Sequence, residues 1–115
     1  MTTPSWKNID GFNYQISNTG LIRRVDTRQI IKPHFHLGYA KISLSKDGKS
    51  DNKRISRLVA IAFIPNPENK RTVNHLDGNK TNNQVNNLEW ATQSENMKHA
   101  HRMNLIAPKK SKKHL

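Results

Sequence analysis

Apolar and polar positions alternate in the first part of the chain, and this pattern predicts short β-strands. Residues 12–16 alternate in this way, residues 17–20 have the composition of a turn, and residues 21–25 resume an extended pattern. Together they predict a β-hairpin.

The most regular half-buried strand is predicted at residues 39–44. Its even-numbered positions are apolar and its odd-numbered positions are mostly polar, as expected for a strand with one covered face. Asp47-Gly48 is a strong hairpin turn, and residues 53–55 are expected in the returning strand. We therefore expect one antiparallel sheet of three to five short strands.

Helical spacing appears in two later segments. Ser56 is a good N-cap residue for a helix that must end before Pro65. Thr92 and Glu95 fit a capping box, which predicts a second helix starting near Gln93, with Asn96 in its first turn.

Composition limits the possible partners. The 115 residues carry a formal charge of +12, and each of the segments 1–55 and 56–115 has ten basic and four acidic residues. A polyanion such as nucleic acid is the expected partner of both halves. The chain suffices for one compact domain or two small interlocked units.

Other features of the composition exclude several classes of protein. No cysteine is present, so disulfides and zinc-cysteine sites are ruled out. No apolar stretch is long enough to span a membrane, and residues 1–5 lack a signal-peptide pattern. These features predict a cytoplasmic protein without a membrane partner.

The segment 73–83 carries the candidate chemistry. A histidine ends a short β-branched run, a Gly/Asn-rich loop follows, and a second strand and a helix complete the segment by Asn96. This order would bring one imidazole close to several hard oxygen donors. Such a set suits metal-assisted hydrolysis of a phosphodiester.

The same residues resemble the HNH, or ββα-metal, nuclease motif of phage and intron-encoded homing endonucleases. His75 matches the first His of the motif, Asn87 its central Asn, and Asn96 its third position. Residues 6–20 resemble the small NUMOD4-like module that often precedes such nucleases. The resemblance covers residues 6 to about 103.

The resemblance implies an α+β fold, with an N-terminal antiparallel β-sheet followed by the ββα-metal (HNH) nuclease motif. We expect residues 1–55 to be a β-rich, NUMOD4-like DNA-binding region and residues 56–105 to be the HNH nuclease region. Residues 106–115 are expected to be a disordered basic tail.

The resemblance also assigns roles. His75 is expected to be the general base, and Asn87 to hold the loop that fixes it. Asn74 and Asn96 are expected to bind a divalent metal, with Mg²⁺ first and Mn²⁺ as the alternative. Many relatives carry Asp at the position of Asn74, so the weaker donor is a departure from the family, and Asp77 is an alternative ligand.

The predicted partner is double-stranded DNA. Its expected contacts are basic side chains spread along the chain, namely Arg23, Arg24, Arg28, Lys80, His99, Lys109 and Lys110. For the three arginines a solvated strand face is an equally good interpretation. The sequence leaves open whether the protein forms a dimer or needs a protein partner.

The function predicted from the sequence is a metal-dependent DNA endonuclease that nicks DNA or cuts both strands. A non-catalytic DNA-binding protein that keeps the HNH scaffold is the alternative, since Asn replaces Asp at position 74. A basic RNA-binding protein is a weaker alternative. Related enzymes often carry a C-terminal helix-turn-helix, and none follows Leu105, so we expect relaxed specificity or dependence on a partner.

Overall fold

A computed structural model describes residues 3–102 of the chain. Six strands lie between Trp6 and Arg54, and two helices flank a later strand pair, so the α+β class is confirmed. The predicted basic tail, with Lys109 and Lys110, lies outside the described residues.

The N-terminal strands form two sheets, so the expectation of a single sheet was wrong. The first sheet contains β1 (Trp6–Asn8), β2 (Tyr14–Ser17) and β3 (Ile22–Arg24), and the second contains β4 (His34–His36), β5 (Tyr39–Lys46) and β6 (Lys49–Arg54). All pairs within them are antiparallel.

After β3 the chain turns back and residues 29–31 are hydrogen-bonded to β3 before the chain leaves the first sheet. A single bridge joins Arg23 to Ile30, and Pro33, which has no N–H to donate to a ladder, precedes β4.

The predicted hairpin at 12–25 is confirmed by the pairing of Ile16 with Ile22. The turn at Asp47-Gly48 is confirmed as well, with both residues at positive φ.

The first helix, α1 (Ile55–Phe63), begins two residues earlier than predicted. Its N-cap is Arg54, which makes no side-chain capping bond, so the prediction of Ser56 as N-cap was wrong. Ile55 and Ser56 are both buried. Burial of Ile55 draws that residue into the helix, and the hydroxyl of Ser56 then lies inside the first turn.

The later strands and helix complete the fold. β7 (Thr72–His75) pairs antiparallel with β8 (Leu88–Ala91), a short 3₁₀ helix (Val85–Asn87) precedes β8, and α2 (Gln93–Arg102) follows it. The capping box is confirmed, because the backbone N–H of Glu95 donates to Thr92 Oγ1 and the N–H of Thr92 donates to Glu95 Oε1.

A single apolar core joins these elements. Both N-terminal sheets, α1 and β8 contribute buried side chains to it; the most central are Ile16, Ile22, Ile42, Leu44 and Val59, with Leu88 at its edge. The core therefore fixes the strand pair β7–β8 against the N-terminal sheets.

Candidate active site

The C-terminal end of β7 presents two of the predicted site residues. Asn74 pairs with Glu89 and His75 pairs with Leu88 across the β7–β8 ladder. Asn74 and His75 are both buried although both are polar. Buried polar side chains need hydrogen-bond partners, and both residues have them.

His75 is held by Asn83. Its Nε2 lies 2.8 Å from Oδ1 of Asn83, and both side chains are only 6% exposed. The amide oxygen can only accept, so Nε2 carries the proton and donates to it. The lone pair of the neutral ring is therefore on Nδ1.

The surroundings favour this neutral form. Burial lowers the pKa of His75 below its ordinary value, and the positive charges of Lys80 and Arg54 lower it further. The hydrogen bond to Asn83 and the charge of Asp77 act in the opposite direction and are weaker than burial. A neutral imidazole at neutral pH is able to accept a proton.

Asn74 and Asn96 line the same cleft, and the amide nitrogen of each has a protein partner. Asn74 Nδ2 donates to Glu89 Oε2 at 2.8 Å, and Asn96 Nδ2 lies 3.5 Å from both Thr72 Oγ1 and the Val73 carbonyl. Within residues 3–102 no protein donor occupies Oδ1 of either asparagine. The nitrogen of each amide faces the protein, which leaves its oxygen free to bind a ligand.

These groups border a cleft of about 260 Å³, which we call the central cleft. Its walls come from β7, α2, the start of β5 and the loop after β7, and they are formed by Tyr39, Val73, Asn74, His75, Gly78, Lys80, Gln93, Asn96, Met97, His99 and Ala100. Of the site residues predicted from the sequence, the structure therefore brings five together at this cleft: His75, Asn74, Asn96, Lys80 and His99.

Asn87 lies behind the central cleft, in the 76–87 loop. Its Oδ1 accepts from the backbone N–H of Asp77, and its Nδ2 donates to Asp77 Oδ1 and to the Asn82 carbonyl. These three bonds tie the two ends of the loop together. This placement suits a residue that holds the loop, while its importance for catalysis stays a prediction.

Asp77 is engaged in the same loop. Its oxygens accept from the side chains of Asn82 and Asn87 and from the backbone N–H of Asn79, and these bonds lower its pKa, that of Asn82 most strongly. Asp77 does not line the central cleft. Its placement therefore does not favour the alternative in which it binds metal.

The predicted DNA-binding residues fall into different places. The guanidinium carbon of Arg23 lies 4.0 Å from the ring centroid of Trp6, and Arg24 forms an ion pair with Asp26. The side chain of Arg28 is exposed, and its backbone has a φ of 62°. These three belong to the first sheet and its following turn, away from the cleft walls. His99 does line the cleft, and its Nε2–H donates to the Leu76 carbonyl at 3.1 Å.

Four residues near the site were missed or given a different role. Tyr39 lines the cleft, with the guanidinium of Arg54 at 3.7 Å and Lys80 Nζ at 4.4 Å from its ring centroid. Glu89 orients Asn74, and Asn83, one of the asparagines in the predicted Gly/Asn-rich loop, holds His75. The contact of Glu89 could have been inferred from the register of the β7–β8 ladder, because Glu89 is opposite Asn74. No pattern in the sequence indicated that Tyr39 and Arg54 lie near the site or that Asn83 contacts His75.

Two kinds of structure are absent from residues 3–102, a cluster of ionisable metal ligands and a membrane-spanning helix. Within these residues, no group of three or more His, Asp or Glu side chains is arranged to hold a metal ion. In the same part of the chain, no helix has both the length and the apolar character needed to span a membrane.

Comparisons with known proteins agree with this architecture. Residues 5–45 match the family model of the NUMOD4 motif, and residues 47–98 match that of an HNH endonuclease. The HNH endonuclease L247 of Acanthamoeba polyphaga mimivirus, itself uncharacterized, is 44% identical over 107 residues, which cover 88% of this chain and 27% of L247. DNA endonuclease I-HmuI of Bacillus phage SP01 is 41% identical over 95 residues, covering 80% of this chain and 55% of I-HmuI.

A solved structure shows the same fold. The structure of DNA binding and cleavage by the HNH homing endonuclease I-HmuI matches with a TM-score of 0.83 and 36% identity, over 94% of this chain and 64% of that one. The chain thus spans part of the length of its relatives. Because the two family models match in this order and the fold is reproduced, residues 47–98 are an HNH endonuclease region and residues 5–45 ahead of it are a NUMOD4 motif.

Proposed function

We propose that this protein is a metal-dependent endonuclease that hydrolyses phosphodiester bonds in double-stranded DNA. The observation that carries the proposal is the content of the central cleft. One buried, neutral imidazole and two asparagine side chains, whose amide nitrogens are bonded to the protein, border the same space. DNA binding without catalysis does not require this combination.

His75 acts as the general base. With Nε2 donating to Asn83, Nδ1 is the nitrogen that removes a proton from the attacking water. The lowered pKa of His75 keeps this nitrogen unprotonated near neutral pH. Burial thus supplies the protonation state that the reaction needs.

Asn74 and Asn96 would hold a divalent cation. Carboxamide oxygens are hard donors that suit Mg²⁺, which keeps water and phosphate oxygens in its shell, and Mn²⁺ is the alternative. A bound cation would neutralise charge on the phosphate and assist the leaving 3′ oxygen. Since both donors are neutral, affinity for the cation is low until a DNA phosphate contributes its own oxygen.

The second sheet offers the DNA-binding surface next to the cleft. Residues opposite each other in an antiparallel ladder lie on the same face of the sheet. His36 is paired with Tyr39, and Lys41 is paired with both His34 and Arg54. The side chains of these five residues therefore lie together, outside the core. Lys80 extends this surface to the cleft wall. Its charge suits phosphate contacts that carry no sequence information.

The relatives support DNA as the substrate. One relative is named a DNA endonuclease, and the matching solved structure concerns DNA binding and cleavage by I-HmuI. The phage and viral sources of the relatives favour the cytoplasm of an infected cell as the place of action.

The second candidate function is DNA binding without cleavage. The observation that favours it is the pair of neutral amides, which hold a cation less firmly than a carboxylate does. Both candidates require the basic surface, so DNA binding alone does not distinguish them.

Incubation with supercoiled plasmid in Mg²⁺ or in EDTA separates the two functions. We expect nicked or linear plasmid in Mg²⁺ only. His75→Ala should lower the cleavage rate by at least about 10²-fold, as is typical when a general base is lost, and DNA binding should persist.

Mobility shifts in EDTA provide the control for folding and binding of the His75→Ala protein. Wild-type protein that binds DNA but leaves plasmid intact in both Mg²⁺ and Mn²⁺ is a binder. A His75→Ala protein that still cuts at the wild-type rate shows that another residue is the base.

A further inference from the structure

A turn of the first sheet contacts the residue that holds His75. The turn, residues 17–20, joins β2 to β3 and belongs to the NUMOD4 region, which precedes the HNH region in the chain. The contact links the two regions at the base of the central cleft.

The first part of the link is the bond between Asn83 and His75. Asn83 Oδ1 accepts from Nε2 at 2.8 Å, and the exposure of each side chain is only 6%. At this buried position, the Asn83 acceptor decides which ring nitrogen carries the proton. It also fixes the rotation of the ring, and so the direction of Nδ1.

The second part is the contact between the turn and Asn83. Gly20 has a φ of 92°, and a methyl group placed on it would lie 3.2 Å from both Cβ and the carbonyl oxygen of Asn83. Two residues further on, the backbone N–H of Val85 donates to the Asn18 carbonyl at 2.9 Å. The segment 83–85 is therefore packed against the turn and hydrogen-bonded to it.

The turn is itself firmly held. Ser17 is fully buried, and its Oγ accepts from the backbone N–H groups of Thr19 and Leu21. Asn18 is tied to Ser5, with Oδ1 accepting from the Ser5 N–H and its own N–H donating to the Ser5 carbonyl. A turn fixed in this way is a rigid support for whatever packs against it.

We propose that Asn83 is a positioning residue for the general base, and that the turn at residues 17–20 holds Asn83 in place. The N-terminal region then contributes to the geometry of catalysis as well as to DNA binding. This inference rests on the proposed function, since it assigns Asn83 a role in the same reaction.

The test of the turn compares Gly20→Ala with Gly48→Ala. Both glycines have positive φ, at 92° and 78°, so alanine strains the backbone at either position. A Cβ at Gly48 meets no described atom within 4 Å, whereas one at Gly20 presses on Asn83. The second variant is therefore a control for backbone strain alone.

We expect Gly20→Ala to lower the cleavage rate at saturating DNA about tenfold, because displacements well below 1 Å already affect a catalytic geometry. The dissociation constant for DNA should stay at the wild-type value. Gly48→Ala should cleave like the wild type while losing similar thermal stability. Equal cleavage by the two variants would overturn the role of the turn.

The test of Asn83 uses the protonation pattern of the ring. Two-bond ¹H–¹⁵N spectra well above neutral pH should show the Nε2–H tautomer for His75, assigned by its loss in His75→Ala. In Asn83→Ala we expect a mixture of the two tautomers and slower cleavage with unchanged DNA affinity. This variant also stands in if Gly20→Ala does not fold.

An Asn83→Ala protein with the wild-type tautomer and the wild-type rate would overturn the role of Asn83. The spectra need no DNA and no metal, so they are independent of the proposed function. If the wild-type protein cuts no DNA but the tautomer still depends on Asn83, the endonuclease proposal fails, while the orientation of the His75 ring by Asn83 stands.

Discussion

The second sheet and the 76–87 loop both border the central cleft, yet different interactions stabilise them. The sheet is held by apolar side chains, and Ile42 and Leu44 of β5 are fully buried. The loop is held by amides: Asn83 and Asn87 are its buried side chains, and each is hydrogen-bonded. We therefore expect the sheet to determine stability, and the loop to determine catalytic geometry.

Ile42→Ala tests the sheet and should give the largest change in stability. Removal of a fully buried isoleucine side chain leaves a cavity and should lower the free energy of unfolding by about 2–5 kcal/mol. Urea denaturation measures this change. The cleavage rate of the molecules that remain folded should equal that of the wild type.

If Ile42→Ala is too unstable to purify, Ile42→Val should cost about 0.5–1.5 kcal/mol and give the same separation. A folded Ile42 variant with a large loss of cleavage would show that the sheet determines catalytic geometry as well as stability.

Asn87→Ala tests the loop. It removes the three hydrogen bonds to Asp77 and Asn82 and should lower the free energy of unfolding by about 1–3 kcal/mol, because buried partners lose their bonds. Its effect on cleavage should exceed that of Ile42→Ala. Denaturation and plasmid cleavage, measured on one preparation, provide both values.

The neighbouring Asn86 provides the control. It lies in the same 3₁₀ helix but is exposed, so Asn86→Ala should change stability by less than about 0.5 kcal/mol. Equal losses of cleavage in the Asn86 and Asn87 variants would indicate that the loop tolerates disorder and that the amide network is not what holds His75.

The same difference explains what the sequence could predict. Alternation of apolar residues was enough for β5 and its turn at Asp47-Gly48, and the capping box was enough for α2, because these patterns are local. The predicted start of α1 was wrong by two residues, since tertiary burial of Ile55 outweighed the N-cap preference of Ser56.

The site was only partly predictable for a physical reason. The family motif located His75, Asn74 and Asn96, which the structure brings to one cleft. The bond from His75 to Asn83 joins residues eight positions apart through an irregular loop, where no periodicity signals which asparagine turns inward. The approach of Tyr39 depends on how the second sheet packs, which no local pattern records.

Asn74→Asp tests the electrostatics of the cleft, with a smaller effect on stability. Asn74 now donates to Glu89, so the variant would place two carboxylates together and lose a hydrogen bond. In EDTA we expect the free energy of unfolding to fall by about 1 kcal/mol. Mg²⁺ should restore it, and half-maximal cleavage should require less Mg²⁺, because the added charge attracts the cation.

The double variant Asn74→Asp with Glu89→Gln separates the two effects. A glutamine at position 89 can donate to the new carboxylate, so stability in EDTA should return while tighter Mg²⁺ binding remains. Metal dependence that matches the wild type in both variants would remove Asn74 from the set of metal ligands.

Glu95→Gln should give the smallest effect, through the helix that carries Asn96. The backbone N–H of Thr92 and then the ammonium of Lys70 lower the pKa of Glu95 below its ordinary value of 4.5. A carboxyl group whose pKa is lowered by folding stabilises the fold fully above that ordinary value. This stabilisation is lost as the pH falls through the lower pKa of the folded state.

Glutamine keeps an acceptor for the Thr92 N–H but carries no charge, so the wild type should be the more stable protein at neutral pH. The difference should vanish in acid, which urea denaturation at several pH values measures.

The effect is small because both Glu95 and Lys70 are in contact with solvent, where ion pairs are screened. Glu68→Gln, which removes the other carboxylate paired with Lys70 without touching the helix, is the matched control. A gap between wild type and Glu95→Gln that persists or widens in acid would show that the charge of Glu95 does not stabilise α2.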